Sequence, residues 1–131
     1  MRLLLDTHIF AWLASGWCDL TRTERAAIER AEGDLLVSVI SLWELRLKWR
    51  SNPRKAEAEG LITAEQGLAV AAAYGIEVAP FTSDVAVTAL HPPLAHKDPF
   101  DEVLLIHAHR LNASLLTRDP DVREHPFAYR A

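Results

Sequence analysis

Two rhythms run along this chain. Short apolar runs at residues 2–5, 35–39, 76–81 and 114–117 have the length of buried strands. The stretches between them carry apolar positions at helical spacing, bounded by capping residues. Thr7 can cap the run 9–14, Ile-Phe-Ala-Trp-Leu-Ala, and residues 21–31 read as a polar amphipathic helix opened by the capping box Thr21-Arg22-Thr23-Glu24 and stopped by Gly33. Ser41 opens a helix through Trp49 that is apolar on more than one face, so it should bury against the sheet and a second neighbour. Residues 51–60 are polar, contain Pro53 and read as an exposed tip. Another helix runs from Thr63 to Tyr74 before Gly75, and a short one spans 82–90 until His91-Pro92-Pro93 breaks it.

Residues 98–121, DPFDEVLLIHAHRLNASLLTRDPD, form the stretch around which the rest is arranged. Asp98-Pro99 is a helix start, Asn112 its stop, the strand 114–117 follows, and the chain turns at Arg118-Asp119-Pro120. Residues 127–129 could add a last edge strand. Strands alternating with helices predict an α/β fold, a parallel sheet flanked by helices on both faces, in one domain over residues 1–131. Such a unit sets the start of a helix and the end of the next strand on one side of the sheet, so Asp101 and Asp119 should face each other there.

Composition narrows the picture. Half the residues are apolar and charged residues are 24%, as in soluble globular proteins. The opening Met1-Arg2-Leu3-Leu4-Leu5 starts like a secretory signal but is cut by Asp6-Thr7-His8, and no apolar span of membrane length occurs, so a cytoplasmic protein with no membrane association is expected. The single cysteine, Cys18, excludes an internal disulfide and is expected to be a small, semi-buried side chain. The net charge of −4, from 18 acids and 14 bases, argues against a general polyanion binder. Withdrawing four acids to a metal site would leave the remaining charges balanced, which is compatible with local capture of one phosphate.

Four acids are candidates for that role. Asp6 ends the first strand, Glu44 lies on the helix after the second, Asp101 opens the late helix and Asp119 follows the last strand. Crowded carboxylates raise one another's pKa, and a hard divalent cation relieves the repulsion; all-oxygen ligation suits Mg²⁺ or Mn²⁺ and phosphodiester hydrolysis. Each acid also has a structural explanation: Asp101 can complement a helix dipole, Asp119 can form an Asx turn, and Glu44 can pair with Lys48. Asp6, directly after an apolar run, needs a partner or solvent, whereas Asp98 reads as a helix cap.

Taken together, LLLDTHIFAWL, SVISLWELRLK and HKDPFDEVLLIHAHRLNASLLTRDPD resemble the PIN-domain ribonucleases, and among them the VapC-type toxins of bacterial and archaeal toxin-antitoxin pairs. The resemblance spans nearly the whole chain, including the separation of eighteen positions from Asp101 to Asp119. It implies a PIN-like fold, a Mg²⁺-dependent (or Mn²⁺-dependent) endoribonuclease, metal-binding Asp6, Glu44, Asp101 and Asp119, and supporting polar Thr7 and Thr117. It also implies a homodimer and a cognate VapB-like antitoxin that lies across the site in a larger complex. Glu102 departs from the pattern, since relatives often carry Arg there.

Other residues carry weaker signals. His107 and His109 cannot share a helix face, and no histidine, whether His8, His91, His96 or His125, has zinc-like spacing, so none is assigned to the site. Arg46, Lys48 and Arg50, with Arg54 and Lys55 nearby, interleave with Trp49 and could guide an RNA backbone. Trp12, Trp17, Trp43 and Trp49 exceed what a small core needs, so some should line a groove for a partner. Two rivals remain: an aspartyl-phosphate phosphohydrolase, disfavoured because His8 stands where a second Asp is expected, and an interaction module that keeps the fold without chemistry.

Overall fold

Three consecutive leucines form the centre of the molecule. In the computed structural model, which describes residues 1–17, 19–96 and 98–130, strand β1 (Leu3–Leu5) has all three side chains fully buried. Neighbouring side chains on a strand point to opposite faces, so complete burial requires cover on both. Leu3 and Leu5 accordingly enter one core and Leu4 another. The first contains Ile9, Phe10, Leu13, Ile28 and Ala71; the second contains Leu36, Leu104, Leu105, Leu115 and Val122.

The elements follow in the order β1, α1 (Thr7–Ala14), α2 (Arg22–Arg30), β2 (Leu35–Ser38), α3 (Val39–Ser51), α4 (Pro53–Ala58), α5 (Ala64–Tyr74), β3 (Glu77–Ala79), α6 (Ser83–Val87), α7 (Pro99–Arg110), β4 (Ser114–Leu116) and α8 (Pro120–Arg123). The sheet is parallel throughout, ordered β3-β2-β1-β4, with Leu4 paired to Leu36 on one side and Leu115 on the other. This is the α/β architecture expected from the alternation of runs. Two capping boxes, Thr21 with Glu24 and Thr63 with Gln66, start α2 and α5, and Asp98 starts α7. Asn112, at φ 55°, takes the left-handed conformation that ends α7.

Four local expectations change. The helix predicted from Ser41 begins at Val39, because the Ser38 hydroxyl accepts the Ile40 N–H and caps it; Ser41 is instead buried within the first turns. Residues 51–60 are not simply an exposed tip: Asn52 caps α4, and Ala56 packs with Ala11, Leu45 and Leu61. That third cluster is the second neighbour anticipated for α3. The helix expected over 82–90 stops at Val87, whereas Asp119 makes the expected Asx turn, its Oδ1 accepting the Asp121 N–H, and thereby caps α8. Residues 127–129 make a single parallel bridge, Leu115 to Ala128, and not a full strand. Among the described residues that pairing consists of Leu115 N–H to Phe127 O and Tyr129 N–H to Leu115 O.

His107 is buried, with Nδ1 hydrogen-bonded to Ser38 Oγ at 2.9 Å, and burial lowers its pKa. It ties α7 to the start of α3, which is a core role. His109 stacks on Phe127 with ring centroids 4.0 Å apart. Gly67 lets α5 pack closely against α3 and α1, since a Cβ there would meet Leu42 at 3.0 Å and Phe10 at 3.2 Å. The expectation for Cys18 lies outside the described residues. Among those described, no helix is long and apolar enough to cross a membrane.

Candidate metal centre

The carboxyl ends of β1 and β4 and the start of α7 meet at one rim. Asp6 leaves β1 with its N–H bonded to Leu116 O, and its Oδ1 accepts the Ile9 N–H at 2.9 Å, so the acid is also the cap of α1. Burial raises its pKa, against hydrogen bonds from the Ile9 N–H and the Thr117 hydroxyl. Thr7, the next residue, points into the interior beside α3. Its hydroxyl donates to Glu44 Oε1 at 2.6 Å and lies 3.0 Å from Ser41 Oγ. Glu44 is 9% exposed; burial raises its pKa, with nearby Asp6 adding to the rise, while Thr7 and Lys48 oppose it. Lys48 Nζ is 3.8 Å from Glu44 Oε2, one helical turn on.

Asp98 caps α7 by accepting the Phe100 N–H, which frees Asp101 in the first turn to face the rim. Burial, followed by the charges of Asp98, Asp119 and Asp6, pushes Asp101 up to about 7. Asp119 accepts the Asp121 N–H, and its own N–H is held by the Thr117 hydroxyl. The structure therefore brings Asp101 and Asp119 together as expected, with Asp6 near enough to perturb both Asp101 and Glu44 electrostatically. Thr7 and Thr117 both touch this set.

His96 joins it unanticipated. Donor atoms of His96, Asp101 and Asp119 all lie within 4.8 Å of one another, and His96 Nε2 is 3.8 Å from Asp101 Oδ2. The absence of zinc-like spacing in the sequence concealed this histidine. The available signal was its place just before the Asp98 cap, where a loop residue can fold back over the first turn of α7.

A second feature invisible to spacing is Arg118, between Thr117 and Asp119. Its guanidinium grips both Glu24 oxygens at 2.9 and 2.6 Å, donates to Asp19 O, and lies 4.1 Å above the Trp12 ring. Burial pushes the Glu24 carboxyl up, but the hydrogen bonds and charge of Arg118 together with the Thr21 hydrogen bonds outweigh it and hold the pKa below the usual carboxylate range. Such a group stabilises the fold above its ordinary pKa of 4.5, and loses that contribution as pH falls through its lowered folded value. Glu24→Gln is expected to lower the melting temperature by about 4–8 °C at pH 7, an effect that shrinks in acid, read by scanning fluorimetry.

A cleft of about 370 Å³ runs from Glu44 between α3, α4 and α7, past Lys48, Lys55, Glu59, Asp98 and Phe100. Of the three basic residues expected to guide RNA, Lys48 lines it; exposed Arg46 covers the Trp43 ring at 5.6 Å, and Arg50 is exposed on α3 outside the cleft lining. Among the tryptophans, Trp49 donates to Ile62 O in the core and Trp43 is 47% exposed. His8 Nε2 meets Glu59 Oε1 at 3.2 Å. The position where an aspartyl-phosphate enzyme needs its second acid is thus taken by a histidine held against Glu59.

Acids that raise one another's pKa at a solvent-reached rim fit a hard divalent cation, which their charges would be stabilised by and would hold. Thr7→Val tests the support beneath Glu44: it removes the hydroxyl donor without changing shape, and Mn²⁺ affinity, read by calorimetry, should fall about 10- to 100-fold with the fold intact. Thr7→Ser should keep most of it.

A PIN domain family model matches residues 3–128 of the chain. Among solved structures, a toxin-antitoxin complex from Klebsiella pneumoniae aligns with a TM-score of 0.64 at 20% identity, covering 98% of this chain and 97% of that one. VapBC2 from Rickettsia felis, bound to a promoter DNA fragment, aligns at 0.62 and 16% identity, covering 98% and 96%. No curated protein matches the sequence.

Proposed function

We propose that this chain, which belongs to the PIN domain family, is a metal-dependent endoribonuclease and the toxin of a toxin-antitoxin pair. The observation that carries the reading is the meeting of Asp101 and Asp119 at one rim, with Asp6 close enough to help raise both Asp101, which stands at about 7, and the buried Glu44. The two aligned complexes, named for toxins with their antitoxins, support the partner assignment.

Asp6, Glu44, Asp101 and Asp119 would hold Mg²⁺ or Mn²⁺. When bound, the cation supplies a Lewis acid for phosphoryl oxygen and an acidified water for in-line attack. The chain's own residues do the rest. Thr7 and Lys48 keep Glu44 oriented and ionisable, Thr117 orients both Asp6 and the Asp119 backbone, and Lys48 and Lys55 line the cleft with charge for an RNA backbone. A homodimer, with an antitoxin segment across the cleft, would keep the enzyme silent in a cytoplasm full of RNA.

Induced expression in a bacterial host tests the proposal. Growth should arrest with new RNA ends appearing; Asp6→Asn should abolish both. Undiminished growth with soluble, folded wild-type protein would contradict it.

A further inference from the structure

His96 faces the acidic rim with its outer ring nitrogen, and the other nitrogen settles what it offers. The Asp98 backbone N–H donates to His96 Nδ1 at 3.3 Å. An imidazole that accepts at Nδ1 carries its proton on Nε2, so the nitrogen turned to the acids is a donor and has no lone pair for a cation. That Nε2 is shut off from solvent and lacks a hydrogen-bond partner among the described residues, although Asp101 Oδ2 stands 3.8 Å away. A buried donor without an acceptor is costly, and an oxygen bound at the rim would satisfy it.

We propose that His96 is a catalytic residue that donates an Nε2–H hydrogen bond to a phosphoryl oxygen of the scissile phosphodiester, and is not a metal ligand. The proposal rests on the nuclease reading above. Its place beside Asp101 and Asp119 sets the donor at the same rim where those acids would hold the cation. The two acids supply negative ligands and the histidine supplies the complementary donor, so one short loop contributes to phosphate capture while α7 and β4 supply the cation's ligands.

The test uses the whole protein with Mn²⁺ and inorganic phosphate as probes, in wild type, His96→Ala and His96→Gln. Mn²⁺ affinity, followed by electron paramagnetic resonance, should be the same within about twofold, with no ¹⁴N imidazole coupling in wild type. Phosphate binding to the Mn²⁺-loaded protein, followed by ³¹P relaxation, should weaken about tenfold or more in His96→Ala, and His96→Gln should recover part of it through its amide N–H. Imidazole coupling to Mn²⁺, a collapse of Mn²⁺ affinity in His96→Ala, no phosphate binding by wild type, or equal phosphate binding in all three would each overturn the proposal. Failure of the nuclease reading shows separately, as wild-type protein that cuts no RNA with metal present.

Discussion

Asp101→Asn is expected to reduce metal-dependent cleavage at least about a hundredfold and, in the same protein, to raise the melting temperature of the metal-free form by about 3–8 °C at pH 8. The two effects share one cause. Asp101 is held at about 7 first by burial and then by Asp98, Asp119 and Asp6, so its ionised form is strained in the absence of a cation. Asparagine keeps the shape and removes the charge. The gain should vanish near pH 5, where wild-type Asp101 is already neutral, which separates it from a general packing effect. Fluorimetry in chelator at both pH values reads the stability, and fragment accumulation with Mg²⁺ reads the activity. A variant that cleaves like wild type, or is less stable at pH 8, would remove Asp101 from the site.

Protons and divalent cations should compete for the same acids. A folded-state pKa raised from 3.8 to about 7 means that the native protein binds a proton more tightly than the unfolded chain. Stability of the metal-free protein should therefore fall as pH rises from about 4 to about 7 and then level off. Metal affinity runs the other way, rising by up to about tenfold per pH unit until Asp101 is ionised near neutrality. Asp6 and Glu44, also raised by burial, steepen the approach. Calorimetric titration with Mn²⁺ between pH 5.5 and 8.5 checks this, with Asp101→Asn as the flatter control. An affinity independent of pH in wild type would contradict the assignment of these carboxylates as ligands.

Much of this arrangement was legible from periodicity and capping alone. Apolar runs too short for helices and buried on both faces could only be parallel strands, and Asp98-Pro99 fixed the start of α7 so closely that Asp101 had to fall in its first turn. The juxtaposition of Asp101 with Asp119 followed from strand and helix direction. What stayed hidden depended on side chains meeting across the chain. Nothing in the spacing links Arg118 to Glu24, 94 residues earlier, or turns His96 back toward α7. Ser38 displaced Ser41 as the cap of α3 because burial of Ser41 against Thr7 used the second hydroxyl elsewhere. The polar stretch 51–60 looked like a free tip because Ala56, its one buried contact, carries little hydrophobic signal by itself.

The most direct measurement incubates the purified protein, free of antitoxin, with labelled transfer and ribosomal RNA in Mg²⁺ or Mn²⁺, and again with chelator. Discrete fragments that require the cation are the predicted result. A folded protein that binds the cation yet leaves every RNA in that pool intact would contradict the account and favour an interaction module built on the same fold.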